Sequence, residues 1–201
     1  MSVGIGRRLI SFLLDALPIL LIVSLLFNFL AADLLKDEGY DVLTTEYTEY
    51  NDEYFNAIEP YRTQLDDGEI DQDEYVELVQ PYYDTFAEAT VDHRAAIVTY
   101  SIRAIVYHIA TFSLLYYVYN GVLKGVTLGR RMMGIELGGK ITWWTLFVRE
   151  IIYKVLYWLF TLLLIGILID IGMILFSKRK KTLRDYVSNT YIKFIGVDYP
   201  F

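Results

Sequence analysis

The chain has 201 residues, 55% hydrophobic and 21% charged, and no cysteine. That combination excludes disulfide stapling, thiolate catalysis and cysteine metal ligation, and it requires apolar and charged residues to be segregated along the sequence. Residues 33–92 hold nineteen Asp and Glu against only Lys36 and Arg62, a net charge of −17, while the rest is +10; the overall −7 averages an acidic segment with a basic one, and nucleic acid is not an expected partner.

Residues 9–31, LISFLLDALPILLIVSLLFNFLA, carry one charge in twenty-three positions. As a helix they cross a hydrocarbon layer of roughly 30 Å. A cleaved signal peptide has an apolar core of only about 7 to 15 residues followed by a small-residue cleavage site. This run is too long and lacks a convincing site, so residues 1–32 read as a tail and first membrane span.

The acidic segment 33–95 follows. Tyr47, Tyr50, Tyr54, Ile58, Tyr61 and Leu65 recur at three and four residues, as do Val76, Val79, Tyr83 and Phe86, and both spacings are helical. Between them, Asp67 and Gly68 suit a turn, and Asp71 with Glu74 has capping-box spacing. The expectation is a helical hairpin. DGEIDQDE also looks like half of a calcium-binding EF-hand loop, but Thr63 and Leu65 stand where carboxylates are required, so no specific metal site is expected.

Residues 96–122 form a second span that includes Arg103 and His108, with Tyr116, Tyr117 and Tyr119 suited to an interfacial aromatic belt. A glycine-rich basic loop, 123–141, comes next. Gly121, Gly125 and Gly129 are spaced as GxxxGxxxG, but Lys124 and Arg130 put them at a membrane exit, where close packing or loop freedom is the better reading than helix dimerisation. Residues 142–177 are apolar enough for the membrane, yet as one helix they would run about 55 Å, so they read as a membrane helical hairpin bending between Phe160 and Gly166, with a re-entrant pair as the variant. A basic tail, 178–201, closes the sequence.

Short cytoplasmic flanks are enriched in Lys and Arg. Arg7 and Arg8, then Lys124, Arg130, Arg131 and Lys140, then Lys178, Arg179, Lys180, Lys181 and Arg184 form three clusters, all expected in the cytoplasm. Both termini then lie inside a cell membrane and residues 33–95 outside. The fold class is all-α: a polytopic bundle of about four membrane segments with an inserted extracytoplasmic helical hairpin. The bilayer itself is the first partner, with anionic lipids expected at the basic clusters.

Ionisable groups inside apolar spans are costly and mark candidate sites. Asp15, Arg149 and Asp170 each fall roughly 10 Å from the cytoplasmic ends of their helices at helical rise, which suggests one shared layer. Arg103 lies nearer the outer side and is expected to snorkel toward the acidic segment. Arg8, Ser11, Asp15 and Pro18 form one polar stripe; Thr99, Arg103, Tyr107 and Thr111 form another. Glu150 and Lys154, at i and i+4, read as an intrahelical pair. The charges either hold helices together, or line an ion or solute pathway, or dock a partner.

Three segments together resemble the RDD family of membrane proteins. TLGRRMMGIEL matches its T-x-G-[KR]-x-x-x-G-[IL] pattern, LRDYVSNTYI matches its closing L-x-D-x-x-x-x-T segment, and RRLISFLLDALPI places an arginine at the head of the first helix with an aspartate seven residues on. By this resemblance Arg8, Asp15 and Asp185 are the arginine and two aspartates of the family name, with Thr127, Gly129, Arg130, Gly134 and Thr190 as supporting matches. Arg149 is similar to an arginine often found at the head of the third apolar segment. The resemblance covers residues 4–32 and 96–193; the 60-residue acidic insertion departs from it. It implies no settled activity, with transport of ions or other ligands suggested. Thr182 and Asp185 suit a capping box, and Asp185 equally suits a salt bridge to Arg8 or Arg130.

Two functions follow as expectations. One is a small ion or solute transporter, exchanging cation and proton through Asp15 and Asp170 with Arg149 tuning their charge, and working as a homo-oligomer because one chain makes a thin pathway. The other is an accessory or scaffold protein whose acidic hairpin binds another protein through tyrosines such as Tyr47, Tyr50, Tyr54, Tyr82 and Tyr83, which equally suit the hairpin's own core. No enzyme, cofactor or metal centre is expected: no zinc spacing, phosphate loop or activated nucleophile is present, and His93 and His108 are isolated.

Overall fold

A computed structural model of the chain describes residues 3–153, 165–176 and 181–197. It is mostly helical, and two of its helical segments, Ile5–Ala31 and Val91–Val122, are long and apolar enough to cross a membrane. Two compact units are distinguished: residues 1–29 with 106–201, and residues 30–105.

In the first unit, α1 spans Ile5–Leu26 and continues as a π turn, Phe27–Ala31. Its burial is inverted relative to a helix in water. Ser11 and Asp15 are buried alongside Ala16, Ile19 and Val23, whereas Leu9, Leu13, Leu17, Leu21 and Leu25 are exposed. A helix that turns leucines outward and a carboxylate inward fits a hydrocarbon solvent, where polar groups must find partners inside the protein. The buried apolar face packs on the 106–122 part of α4 (Val91–Val122). There Phe112 and Tyr116 stack with centroids 5.7 Å apart, and Phe12 tilts against Tyr116 at 6.1 Å.

After α4 come the five-residue α5 (Leu128–Met132), β1 (Ile135–Gly139), α6 (Trp143–Phe147) and a π turn at Val148–Ile152. Then follow α7 (Ile165–Phe176), α8 (Leu183–Val187) and β2 (Thr190–Phe194). β1 and β2 pair antiparallel, with Ile135 opposite Phe194 and Gly139 opposite Thr190. This sheet corrects the all-α expectation: residues 123–141 and the basic tail are not plain connections. The strands alternate as strands do, with Ile135 and Leu137 buried and Glu136 set across from Lys193, their charges 3.2 Å apart. Residues 154–164 lie outside the described residues, and with them Lys154 and the expected bend after Phe160.

The glycines of the GxxxGxxxG run serve three separate purposes. A Cβ on Gly121 would sit 2.0 Å from the Trp143 ring, Gly125 turns the chain with φ +77°, and Gly129 lies against the α1 backbone. Close packing within one chain therefore accounts for their spacing.

In the second unit, α2 (Tyr40–Asp66) and α3 (Gln72–Ala89) pack antiparallel. Tyr47 and Tyr54 both lay their rings on Phe86, with centroids 5.9 and 5.1 Å away, and the Tyr61 and Tyr82 hydroxyls meet at 3.3 Å. Asp71 caps α3 by accepting from the amides of Asp73 and Glu74 at 3.0 and 2.9 Å. That use of the DGEIDQDE carboxylate is a helix start. Among the described residues no acidic, His or Cys cluster could hold a metal ion.

Candidate functional site

The polar residues singled out in the sequence gather into two buried clusters within the first unit. The first is built on Asp15, which is 3% exposed. Its Oδ1 accepts from the Gly129 amide at 2.7 Å and the Tyr119 hydroxyl at 3.1 Å, and its Oδ2 accepts from the Thr127 hydroxyl at 2.5 Å. Tyr119 Oη in turn accepts from the Leu128 amide at 2.9 Å. Thr127 occupies the N-cap of α5, but its hydroxyl leaves the cap role to the α1 carboxylate. Asp15 thus caps α5 from a different helix, and its negative charge faces the unsatisfied amides of that helix start.

This contact explains the residue types of the T-x-G-[KR]-x-x-x-G segment. Thr127 supplies a hydroxyl short enough to reach the carboxylate. Gly129 is required by approach: a Cβ there would stand 2.3 Å from the Ser11 carbonyl oxygen and 3.0 Å from Asp15 Cγ. Arg130, 6% exposed, folds back to donate to Asn120 Oδ1 and the Gly125 carbonyl, both at 2.8 Å. Gly134 turns the chain into β1 with φ +66°, and its carbonyl accepts from the Ile195 amide at 3.1 Å.

The second cluster joins segments from both ends of the sequence. Arg149, 1% exposed, donates through Nη1 to Asp185 Oδ1 and Thr190 Oγ1, each at 2.5 Å. The other Asp185 oxygen accepts from Arg8 Nη1 at 3.4 Å and the Thr182 amide at 3.0 Å. The Asp185 amide donates to Thr182 Oγ1, which completes a capping box for α8. The capping box and the Arg8 salt bridge, each suggested by the sequence, therefore coexist on one carboxylate. Burial alone would raise the Asp185 carboxyl, but the guanidinium groups of Arg149 and Arg184 outweigh it and hold it well below the usual carboxylate range.

Asp15 and Arg149, expected in one layer with Asp170, meet different partners. Asp15 is taken by α5 and Tyr119, while Arg149 turns to Asp185 and Thr190. Glu150 is buried beside Arg149, with Arg149 Nε and Glu150 Oε1 3.3 Å apart. Asp170 belongs to α7, and its side chain lies outside the described residues. Depth along a helix does not fix which face a group occupies, and the donors at the start of α5 stand within hydrogen-bond distance of Asp15.

Sequence reasoning did not single out Tyr119 or Asn120 as partners in these networks. Tyr119 was read as part of an interfacial belt; its distance from Asp15, 104 positions, leaves no local spacing to reveal the pair.

In the second unit, Arg103 donates to Asp37 Oδ1 at 2.7 Å and the Leu35 carbonyl at 3.1 Å, so it reaches into the acidic segment. His93 Nε2 meets Glu46 at 3.0 Å, and Tyr50 sits edge-on to the His93 ring. Of the five tyrosines considered for partner binding, Tyr47 and Tyr54 are spent on Phe86. Tyr50 and Tyr82 are each 39% exposed and Tyr83 is 47% exposed.

Gly129→Ala is expected to lower the melting temperature of the purified protein in detergent, because the methyl group must push either Ser11 or Asp15 out of place; overpacking of this kind costs about 1–3 kcal/mol. Gly4→Ala, in open space, serves as the comparison. An unchanged melting temperature in Gly129→Ala would show that α5 does not lie against α1 in this way.

The model of the RDD family, generally a family of membrane proteins, matches residues 2–189, nearly the whole chain. Neither a curated protein nor a solved structure matches it. The match over residues 2–189 makes the chain a member of the RDD family.

Proposed function

We propose that the protein is an accessory membrane protein of the cell membrane. Its RDD core anchors it with both termini in the cytoplasm, and the acidic helix pair binds a basic partner protein on the opposite side. The observation that carries this reading is the charge of the helix pair. Residues 33–92 hold −17, and the exposed surface also offers Tyr50, Tyr82 and Tyr83. A surface of that charge repels itself and lowers its energy by meeting cations. Aromatic side chains among the charges supply contact area at little entropic cost. The core suits an anchor, since Asp15 and Asp185 are each met by several donors of the same chain. Basic-residue parity supports the orientation.

A second reading, cation and proton exchange by an oligomer, is favoured by one specific feature. The Leu128 amide and the Tyr119 hydroxyl form a hydrogen-bonded chain that ends on Asp15 of a span, and a carboxylate of this kind is where a proton or cation would load. Asp170 would be its second carboxylate.

Affinity purification from native membrane, with the intact chain and with residues 40–90 deleted, separates the readings. The accessory reading expects a basic protein recovered with the intact chain and lost from the deletion; identical recoveries overturn it. Exchange expects purified protein in liposomes to move cations or protons down a gradient, with Asp15→Asn abolishing the flux. Liposomes that pass nothing under either gradient sink that alternative.

A further inference from the structure

The short helix α5 meets α1 well past the beginning of that helix. α1 and its π turn run from Ile5 to Ala31, 27 residues, a rod of about 40 Å at helical rise around a hydrocarbon layer of roughly 30 Å. At most about 10 Å of the rod can then stand clear of the layer at its N-terminal end. Asp15 lies about 15 Å along it, beneath that boundary.

α5 follows Asp15 to this depth. The Gly129 amide donates to Asp15 Oδ1 at 2.7 Å, and a Cβ on Gly129 would stand 2.3 Å from the Ser11 carbonyl oxygen. Backbone at membrane depth must have its polar groups met by protein. The segment leading into α5 satisfies that condition. The amides of Lys124, Gly125 and Val126 donate to the Gly121, Asn120 and Leu123 carbonyls at 3.2, 2.9 and 2.9 Å. The Leu128 amide donates to the Tyr119 hydroxyl at 2.9 Å.

Side chains sort in the same sense. Arg130 is buried, whereas Leu128 and Met132, one turn apart, are 60% and 61% exposed. Water penalises that arrangement and hydrocarbon does not. Trp143 and Trp144, 54% and 69% exposed, stand beside the end of α4, where the Trp143 ring lies against Gly121. Tryptophan rings favour the level of the lipid head groups. Arg131 is exposed beside Met132 and is long enough to carry its charge to those head groups.

We propose, resting on the reading of the core as a membrane anchor, that α5 is seated in the leaflet at the N-terminal end of α1. Leu128 and Met132 lie against phospholipid acyl chains, and Trp143 and Trp144 sit at head-group level. Residues 124–133 are then a loop that dips into the bilayer, and lipid holds α5 from one side while Asp15 holds it from the other.

The chain has no cysteine, so one introduced cysteine carries a nitroxide spin label at one known place. Leu128→Cys and Met132→Cys are the test sites, Leu17→Cys on the exposed face of α1 is the bilayer reference, and Glu69→Cys in the acidic turn is the aqueous reference. Each full-length variant is reconstituted in phosphatidylcholine vesicles, its fold checked by melting temperature. Collision of the label with dissolved oxygen is compared with collision with a water-soluble nickel chelate.

Labels at 128 and 132 should meet oxygen severalfold more often than nickel, as at 17, with the ratio reversed at 69. If both behave like 69 while 17 reports lipid, the loop lies in water: the proposal falls and the anchor reading stands. Labels at 128 and 132 shielded from both reagents also overturn it, because protein then covers α5. A label at 17 that behaves like 69 overturns the anchor reading and the proposal together.

Discussion

The buried ion pair between Arg149 and Asp185 is the constraint on which the membrane unit depends. Both groups are about 1% exposed, and the pair sits where three remote stretches meet: Arg8 from α1, Arg149 from the π turn after α6, and Thr182 to Thr190 from the closing segment. A charge taken out of water is stabilised only when its lone pairs and protons are met by partners. Asp185 satisfies that requirement with two guanidinium groups and one amide, and it can do so only if all three stretches are in place. The small sheet of β1 and β2 follows from the same meeting. Thr190, the first residue of β2, is held by Arg149, and β2 then returns alongside β1.

Asp15 plays the complementary part at the other motif. Its carboxylate replaces the missing partners of a five-residue helix that has almost no intrahelical hydrogen bonding to sustain it. In exchange, α5 supplies Asp15 with donors that hydrocarbon cannot. The residues that resemble the RDD motifs thereby acquire distinct physical tasks: Asp15 caps, Thr127 and Gly129 receive it, Arg130 braces the preceding loop, Gly134 turns the chain, and Asp185 links the ends. Each task concerns holding the core together, and none requires Asp15 or Asp185 to exchange its partners.

What could be read from the sequence was what is local or periodic. The two long apolar helices were legible because length and hydropathy determine them, and α2 and α3 because their tyrosines recur at helical spacing. The α8 capping box was legible because Thr182 and Asp185 are three residues apart. The β1–β2 pair was not, because IELGG and TYIKF are five-residue strands embedded in basic, glycine-rich surroundings, and their partners lie more than fifty positions away. Depth along the helices does not indicate the partners of Asp15 and Arg149 for a related reason. Rise per residue gives height along a helix but not the face, and Asp15 is claimed by a loop that no periodicity describes. The family resemblance named Asp15, Thr127 and Gly129 of the first cluster and Arg8, Arg149, Asp185 and Thr190 of the second, without indicating which would meet.

A double-mutant cycle on Arg149 and Asp185, with Arg149→Met, Asp185→Leu and the pair together, measured as unfolding free energy in detergent, tests the central claim most directly. Either single change strands a buried charge, a loss of about 3–5 kcal/mol for a pair of this kind, and the double variant should lose less than the sum of the two, by a coupling of about 1–3 kcal/mol. Additive losses in the double variant would contradict the account and place the organising contact of the fold elsewhere.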